Sequence, residues 1–161
     1  MEYKIRKIKK EDIKEVQQVA KISWNTTYET IIPLDIQENF LSTAYSDEMM
    51  LKRMDVSFLY VAEKDRKIVG FANFSTVKEQ GEVELGAIYL FPEYQGKGIG
   101  TALLDEGIKK LKGANSIYIN VEKENNVGRN FYHAKGFKVV SEFDDNLEGH
   151  ITKMLRMVLN I

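Results

Sequence analysis

The sequence predicts a mixed sheet covered by helices, an α/β or α+β domain. Three observations carry this. The hydrophobic period changes from helical to alternating near residue 57. Three apolar runs, 57–63, 68–77 and 82–91, then follow one another with only short turns between them. Beyond residue 91 the apolar runs alternate with helical segments. Strands joined by hairpins are antiparallel, whereas strands joined through a helix can lie parallel. A chain of 161 residues fits one domain, 1–161, and 43% hydrophobic content is enough for its core.

In chain order, residues 3–8 read as a short strand. Glu11 and Asp12 open a helix, where acidic side chains suit the positive dipole end. Ile13, Val16, Val19, Ala20 and Trp24 then recur at helical spacing. Residues 33–54 read as one or two further helices with no clear boundary. The strands 57–63 and 68–77 form a hairpin across Asp65-Arg66-Lys67, and Pro92 ends the strand 82–91. Residues 99–112 are helical, with Leu103, Leu104, Ile108 and Leu111 on one face. A strand at 116–121 and a helix at 126–135, closed by Gly136, lead to closing strands at 137–143 and 151–159. The sheet thus has six to seven strands.

Composition narrows the function. The chain carries 23 basic and 24 acidic side chains, a formal net charge of -1, which gives no general pull toward nucleic acid or anionic membrane. It has no cysteine, which excludes disulfides, thiolate metal sites and a cysteine acyl-enzyme. His133 and His150 have no second histidine at ligand spacing, so no metal site is expected. The first residues lack the apolar segment of a signal peptide, and no run is long enough to span a bilayer; a cytoplasmic location is the expectation.

The chemistry points to Gln95-Gly96-Lys97-Gly98-Ile99-Gly100, between a strand end and a helix start. Such a unit presents free backbone N–H groups and the helix dipole to an anion. Glycines allow close approach and positive φ, and Lys97 and Thr101 add side-chain donors. The kinase-type phosphate loop is absent, and G-K-G-I-G does not match G-x-G-x-x-G. The acidic ribose partner expected about 20 residues further on is also missing, since that region reads Ile119-Asn120-Val121.

The run from Leu90 through Pro92, Gln95, Gly96, Gly98 and Gly100 to Leu104 resembles the central motif of the GNAT superfamily of N-acetyltransferases, Gln/Arg-x-x-Gly-x-Gly/Ala after a strand and a proline. A second family motif is matched by Asn125, Tyr132, Gly136 and Phe137 at the family's spacing. The resemblance covers nearly the whole chain and is weakest over 23–54. It implies a mostly antiparallel sheet, helices on both faces and one splayed parallel strand pair. It further implies that acetyl-coenzyme A is the co-substrate. Backbone groups of Ile88, Tyr89 and Leu90 would pair with pantetheine, and one N–H near Tyr89 or Leu90 would polarise the thioester carbonyl. Gln95, Gly96, Lys97, Gly98, Ile99, Gly100 and Thr101 would hold the pyrophosphate. Asn125 and Tyr132 would lie near the pantetheine end, with Tyr132 as general acid to the departing thiolate.

An attacking amine must first lose a proton, because an alkyl ammonium has no lone pair. Glu82 and Glu84 are the candidate bases; lying two apart, they share one face of a regular strand. Glu84 is preferred because it lies nearer the expected thioester, the alternative being that both are solvent-facing charges. In some ribosomal-protein acetyltransferases of the family the base lies on the next strand. The matching position here is Asn120, which cannot act as a base. Trp24 and Tyr28 resemble the segment that caps the acceptor pocket, and Glu29, Asp35 and Glu38 add negative charge nearby.

The expected activity is therefore direct acetylation of a primary amine in a ternary complex. The acceptor is a small amine such as a polyamine or amino acid, with a protein N-terminus or lysine as the alternative. A non-catalytic acyl-CoA sensor is the reading from another class. The family resemblance also makes a homodimer an expectation, with the closing strands as the elements that could pair.

Overall fold

The computed structural model describes residues 2–161 and contains a seven-stranded sheet in the order β1-β2-β3-β4-β5-β7-β6. The strands are β1 (Lys4–Lys7), β2 (Phe58–Lys64), β3 (Lys67–Phe74), β4 (Glu82–Leu90), β5 (Ser116–Glu122), β6 (Lys138–Leu147) and β7 (His150–Asn160). The helices are α1 (Ile13–Thr27), α2 (Leu34–Ala44), α3 (Asp47–Val56), α4 (Ile99–Lys110) and α5 (Asn126–Ala134). All neighbours are antiparallel except β4 and β5, joined through α4.

Two apolar clusters lie on opposite faces of the sheet. On one, Ile99, Leu103 and Leu104 of α4 pack against Phe74, Val83, Ile117 and Phe137. On the other, Val16, Val19, Ala20 and Trp24 of α1 pack with Leu41 of α2, Met50 of α3 and Phe71 of β3. Phe71 and Phe74 are fully buried, each removal from water contributing up to about 3 kcal/mol. Both helix layers are therefore held by the central strands that also form the site.

The segment 33–54 resolves into two helices. Ser46 separates them: its hydroxyl accepts the Met49 N–H at 3.2 Å and caps α3. The closing strands are longer than expected because β6 is exposed along almost its whole length, so its polar C-terminal half carries no inward pattern. No helix among the described residues is long and apolar enough to cross a membrane.

Candidate active site

β4 and β5 pair only over Glu82–Ser116, Val83–Ile117 and Glu84–Tyr118. Beyond that point they part. The register between β3 and β4 slips at the same place: Phe74 faces Leu85 and Asn73 faces Ala87, leaving Gly86 as the extra residue of a bulge. A bulge increases local twist, which turns the end of β4 away from β5.

The gap is a cavity of about 580 Å³. Its floor is the freed edge of β4. The Phe91 N–H donates to Val69 O on β3. By the alternation of an antiparallel ladder, Tyr89 and Ala87 also direct their backbone groups to β3, while Ile88 and Leu90 direct theirs into the gap. The open edge of β4 is therefore that of Ile88 and Leu90. Tyr89 reaches the cavity through its side chain, and the expectation of a free Tyr89 backbone is corrected by the ladder.

One end of the cavity is the glycine loop. Gly96 and Gly98 have φ of +73° and +86°, and a Cβ on either would meet nothing within 4 Å. Backbone conformation, not crowding, therefore demands glycine at both. Gly98 is the N-cap of α4, and the first helical bond runs from Ala102 N to Gly98 O at 3.0 Å. The N–H groups of Ile99, Gly100 and Thr101 consequently have no partner inside the helix. Gln95, Gly96 and Thr101 line the cavity. Ile99 is outside the lining, and its side chain is fully buried in the core. Lys97 is exposed and outside the lining, whereas Lys135 of α5 is part of it.

The wall opposite β4 is α5. Asn125 caps it, its Oδ1 accepting the Gly128 N–H at 2.9 Å. Tyr132 lines the cavity, with its ring edge-on to Phe131 and Phe137. Burial pushes the Tyr132 hydroxyl far above the ordinary tyrosine value, with Tyr89 adding to the shift. It stays protonated and can donate.

The other end is built from α1. Trp24 and Tyr28 are buried and line the cavity. Trp24 stacks on Phe40 at 4.6 Å and tilts against Tyr28 at 4.7 Å. Its indole Nε1 is buried beside the Tyr89 hydroxyl, which it helps to hold in place. The turn after α1 is clamped by Gln37, whose Nε2 donates to Tyr28 O at 3.0 Å and Ile32 O at 2.9 Å.

Glu82 and Glu84 do not line the cavity. Glu84 is joined to Arg156 of β7 by two hydrogen bonds, one of 2.9 Å between Arg156 Nη1 and Glu84 Oε2. The same Nη1 reaches Asn120 Oδ1 at 3.1 Å, and the guanidinium lies 4.6 Å from the Tyr118 ring centre. Glu84 holds that guanidinium above its ordinary pKa, and Glu82 adds to the effect. The two glutamates share a face, as their spacing requires, but that face looks at Arg156. Both carboxylate oxygens are taken up by the guanidinium and neither glutamate lines the cavity, so the placement argues against Glu84 as a direct base. Sequence reasoning missed Arg156, which reaches Glu84 only because β7 returns beside β5.

The fold and the cavity between two splayed strands point together to an acyltransferase. Residues 16–137 match the Acetyltransferase (GNAT) family, and the chain belongs to that family, as an N-acetyltransferase. It is 35% identical over 148 residues to a spermidine N(1)-acetyltransferase of Thermoplasma acidophilum, covering 86% of this chain and 90% of that one. It is 35% identical over 150 residues to the uncharacterised N-acetyltransferase YuaI of Bacillus subtilis, covering 89% and 84%. The crystal structure of PaiA N-acetyltransferase from Thermoplasma acidophilum in complex with coenzyme A superposes with a TM-score of 0.88, at 30% identity and over 100% of both chains.

Proposed function

We propose that the protein transfers the acetyl group of acetyl-coenzyme A to a primary amine of a small polyamine, by direct attack in a ternary complex. The observation that carries this reading is the continuity of one cavity, from the free N–H groups at the start of α4, along the open edge of β4, to Tyr132 and the aromatic wall of α1. Its parts fit the co-substrate in order. Backbone N–H groups and a helix dipole suit a pyrophosphate. An unpaired strand edge suits the amides of pantetheine. The 35% identical spermidine acetyltransferase supports the acceptor class.

When bound, acetyl-coenzyme A supplies an activated acyl group with a thiolate leaving group. The backbone N–H of Ile88 or Leu90 is placed to donate to the thioester oxygen, a contact of a kind typically worth ~3 kcal/mol. Tyr132 donates a proton to the departing sulfur. Asn125 holds the start of α5, and with it Tyr132, through its cap. Trp24 and Tyr28 enclose the alkyl chain of the amine and exclude water from it. Because Glu84 is committed to Arg156, we assign the amine proton to water at the open end, with Glu82 and Glu84 reached only through solvent.

The test is release of free thiol from acetyl-coenzyme A against a panel of polyamines, amino acids and peptides. Fastest release with a polyamine is expected. Thiol release with none of them, or a preference for a peptide N-terminus, would overturn the proposal.

A further inference from the structure

Asn125 carries one polar group that the cap of α5 does not use. Its backbone is engaged on both sides: the Asn125 N–H donates to Glu122 O at 3.0 Å, and the Arg129 N–H donates to Asn125 O at 3.0 Å. Its Oδ1 accepts the Gly128 N–H. A side-chain amide has one oxygen and one NH2 group, so the Nδ2 donor is left over on a residue that lines the cavity.

Gly128 makes room for that group. A Cβ at Gly128 would stand 2.7 Å from Asn125 Nδ2, too close for a real contact. Glycine inside a helix costs about 1 kcal/mol relative to alanine, so α5 gives up stability to keep the Asn125 amide in place. Capping alone does not require this, because serine or aspartate offers the Gly128 N–H an oxygen equally well. The direction of Nδ2 therefore serves something outside the helix.

Tyr28 of α1 is the residue it serves. Its side chain is buried and lines the same cavity. Burial, followed by Tyr89 and Tyr132, raises the Tyr28 hydroxyl far above the ordinary tyrosine pKa, while the Asn125 amide beside it acts in the other direction, as a donor to the phenolic oxygen must. The hydroxyl stays protonated and is no base. Its oxygen has two lone pairs. With one turned to Asn125 Nδ2, the other is free for an occupant of the cavity. Tyr132, the donor to the departing sulfur, is within electrostatic reach of this hydroxyl, so Tyr28 faces the reacting centre.

We propose that the Tyr28 hydroxyl, aimed by Asn125 Nδ2, accepts an N–H of the attacking amine and so fixes the direction of its lone pair. This rests on the amine acetylation proposed above, whether the amine is a polyamine or not. The neutral amine has a single lone pair, which must point at the thioester carbon. An acceptor for one of its N–H bonds sets that rotation before attack. In the step itself the nitrogen lone pair forms the C–N bond and the C–S pair leaves on sulfur. Tyr132 protonates the sulfur, the surplus amine proton passes to water, and Tyr132 is reprotonated from water. Tyr28 gives up no proton. Asn125 is thus a positioning residue that joins the cap of α5 to the acceptor end.

The test is a double-mutant cycle, read in the acetylation of spermidine and of butylamine. Tyr28→Phe keeps the ring against Trp24 and removes the hydroxyl. Asn125→Asp and Asn125→Ser keep a cap oxygen for the Gly128 N–H and remove the Nδ2 donor. Each single variant should lower kcat about tenfold, as expected for one lost hydrogen bond, with Tm and the affinity for coenzyme A unchanged. Tyr28→Phe combined with Asn125→Asp should lose no more than Tyr28→Phe alone, because the amide acts through the hydroxyl. The acidic limb of the pH–rate profile should keep its position in Tyr28→Phe. An unchanged kcat in Tyr28→Phe overturns the role of the hydroxyl, and losses that multiply to about a hundredfold overturn its dependence on Asn125. A displaced limb would make Tyr28 a base, and a fall in Tm matched by a fall in coenzyme A affinity would leave both residues a structural role only; either result overturns the proposal. All of these outcomes leave amine acetylation standing. Transfer to neither amine by the wild type would overturn that reading, and the orienting role with it.

Discussion

The two ends of the active-site cavity are built from different materials. The donor end consists mostly of backbone: the open edge of β4 and the unpartnered N–H groups of Ile99, Gly100 and Thr101. The acceptor end consists of side chains: Trp24 and Tyr28 of α1, backed by Phe40 and by the Gln37 clamp. Backbone groups recognise what any sequence can present if its conformation is right, and glycine fixes that conformation. Side chains can be exchanged without disturbing the fold, so the proposed reaction would have its specificity there. The donor end should therefore be brittle toward backbone changes, and the acceptor end toward loss of packing and anchoring.

Tyr132 stands between the two ends and should show the largest effect. Tyr132→Phe keeps the ring packing against Phe131 and Phe137 and removes the proton donor. Turnover should fall about 300-fold at neutral pH, within the usual range for general acid catalysis. The deficit should shrink as pH rises and the thiolate leaves without a proton. A pH–rate profile checks this, and equal turnover at every pH would remove Tyr132 from the role.

The acceptor end hangs on the start of α1. Asp12 accepts from Arg6 Nη1 at 2.7 Å, Arg6 Nη2 at 3.0 Å and the Lys9 N–H at 2.7 Å. The Arg6 hydrogen bond, more than any other contact, holds the Asp12 carboxyl below the ordinary aspartate pKa. The unfolded chain binds this proton more readily than the folded one. The contribution is therefore present above the ordinary aspartate pKa and lost as pH falls through the depressed folded value. Asp12→Asn should cost about 3 kcal/mol at neutral pH, near the lower end for one partner removed from a buried pair. Urea midpoints of the two proteins should converge in acid; a constant difference would contradict the assignment.

At the donor end, Gly98→Val places a β-branched residue at a positive φ, where it is strongly disfavoured. Tilting the loop should lose about two charge-assisted hydrogen bonds to the pyrophosphate, or roughly 100-fold in affinity for coenzyme A. Calorimetry reads this directly. An undiminished affinity would mean that the loop does not bind through its backbone.

The smallest effect separates structure from catalysis on β4. Glu84→Gln weakens a partly exposed ion pair with Arg156, worth up to about 1 kcal/mol, and leaves Arg156 its contacts with Asn120 and Tyr118. Turnover should change by less than about threefold, whereas loss of a general base would lower it about 100-fold or more. The larger loss would return Glu84 to the role its position near the thioester suggested.

The same contrast explains what could be read from the sequence. The strand–loop–helix of the donor end is contiguous, so its glycines, its proline and its helix period all sit within one short stretch. The strands 57–91 were legible because each has an apolar alternation bounded by turns. The acceptor end is assembled from Trp24 and Tyr28 of α1 with Phe40 and Gln37 of α2, which meet only once the two helices pack. The Glu84–Arg156 pair, formed between β4 and β7, leaves no local pattern either. The boundary between α2 and α3 did carry one, the cap at Ser46 ahead of Asp47 and Glu48. It was masked because Met50 is the only buried residue on α3, so the helix has almost no apolar stripe.

The most direct measurement is titration of the wild-type protein with coenzyme A alone. A backbone-built donor end predicts saturable binding at one site per chain, without any amine present. Failure to bind at millimolar concentration, or binding that appears only when a polyamine is added, would contradict it.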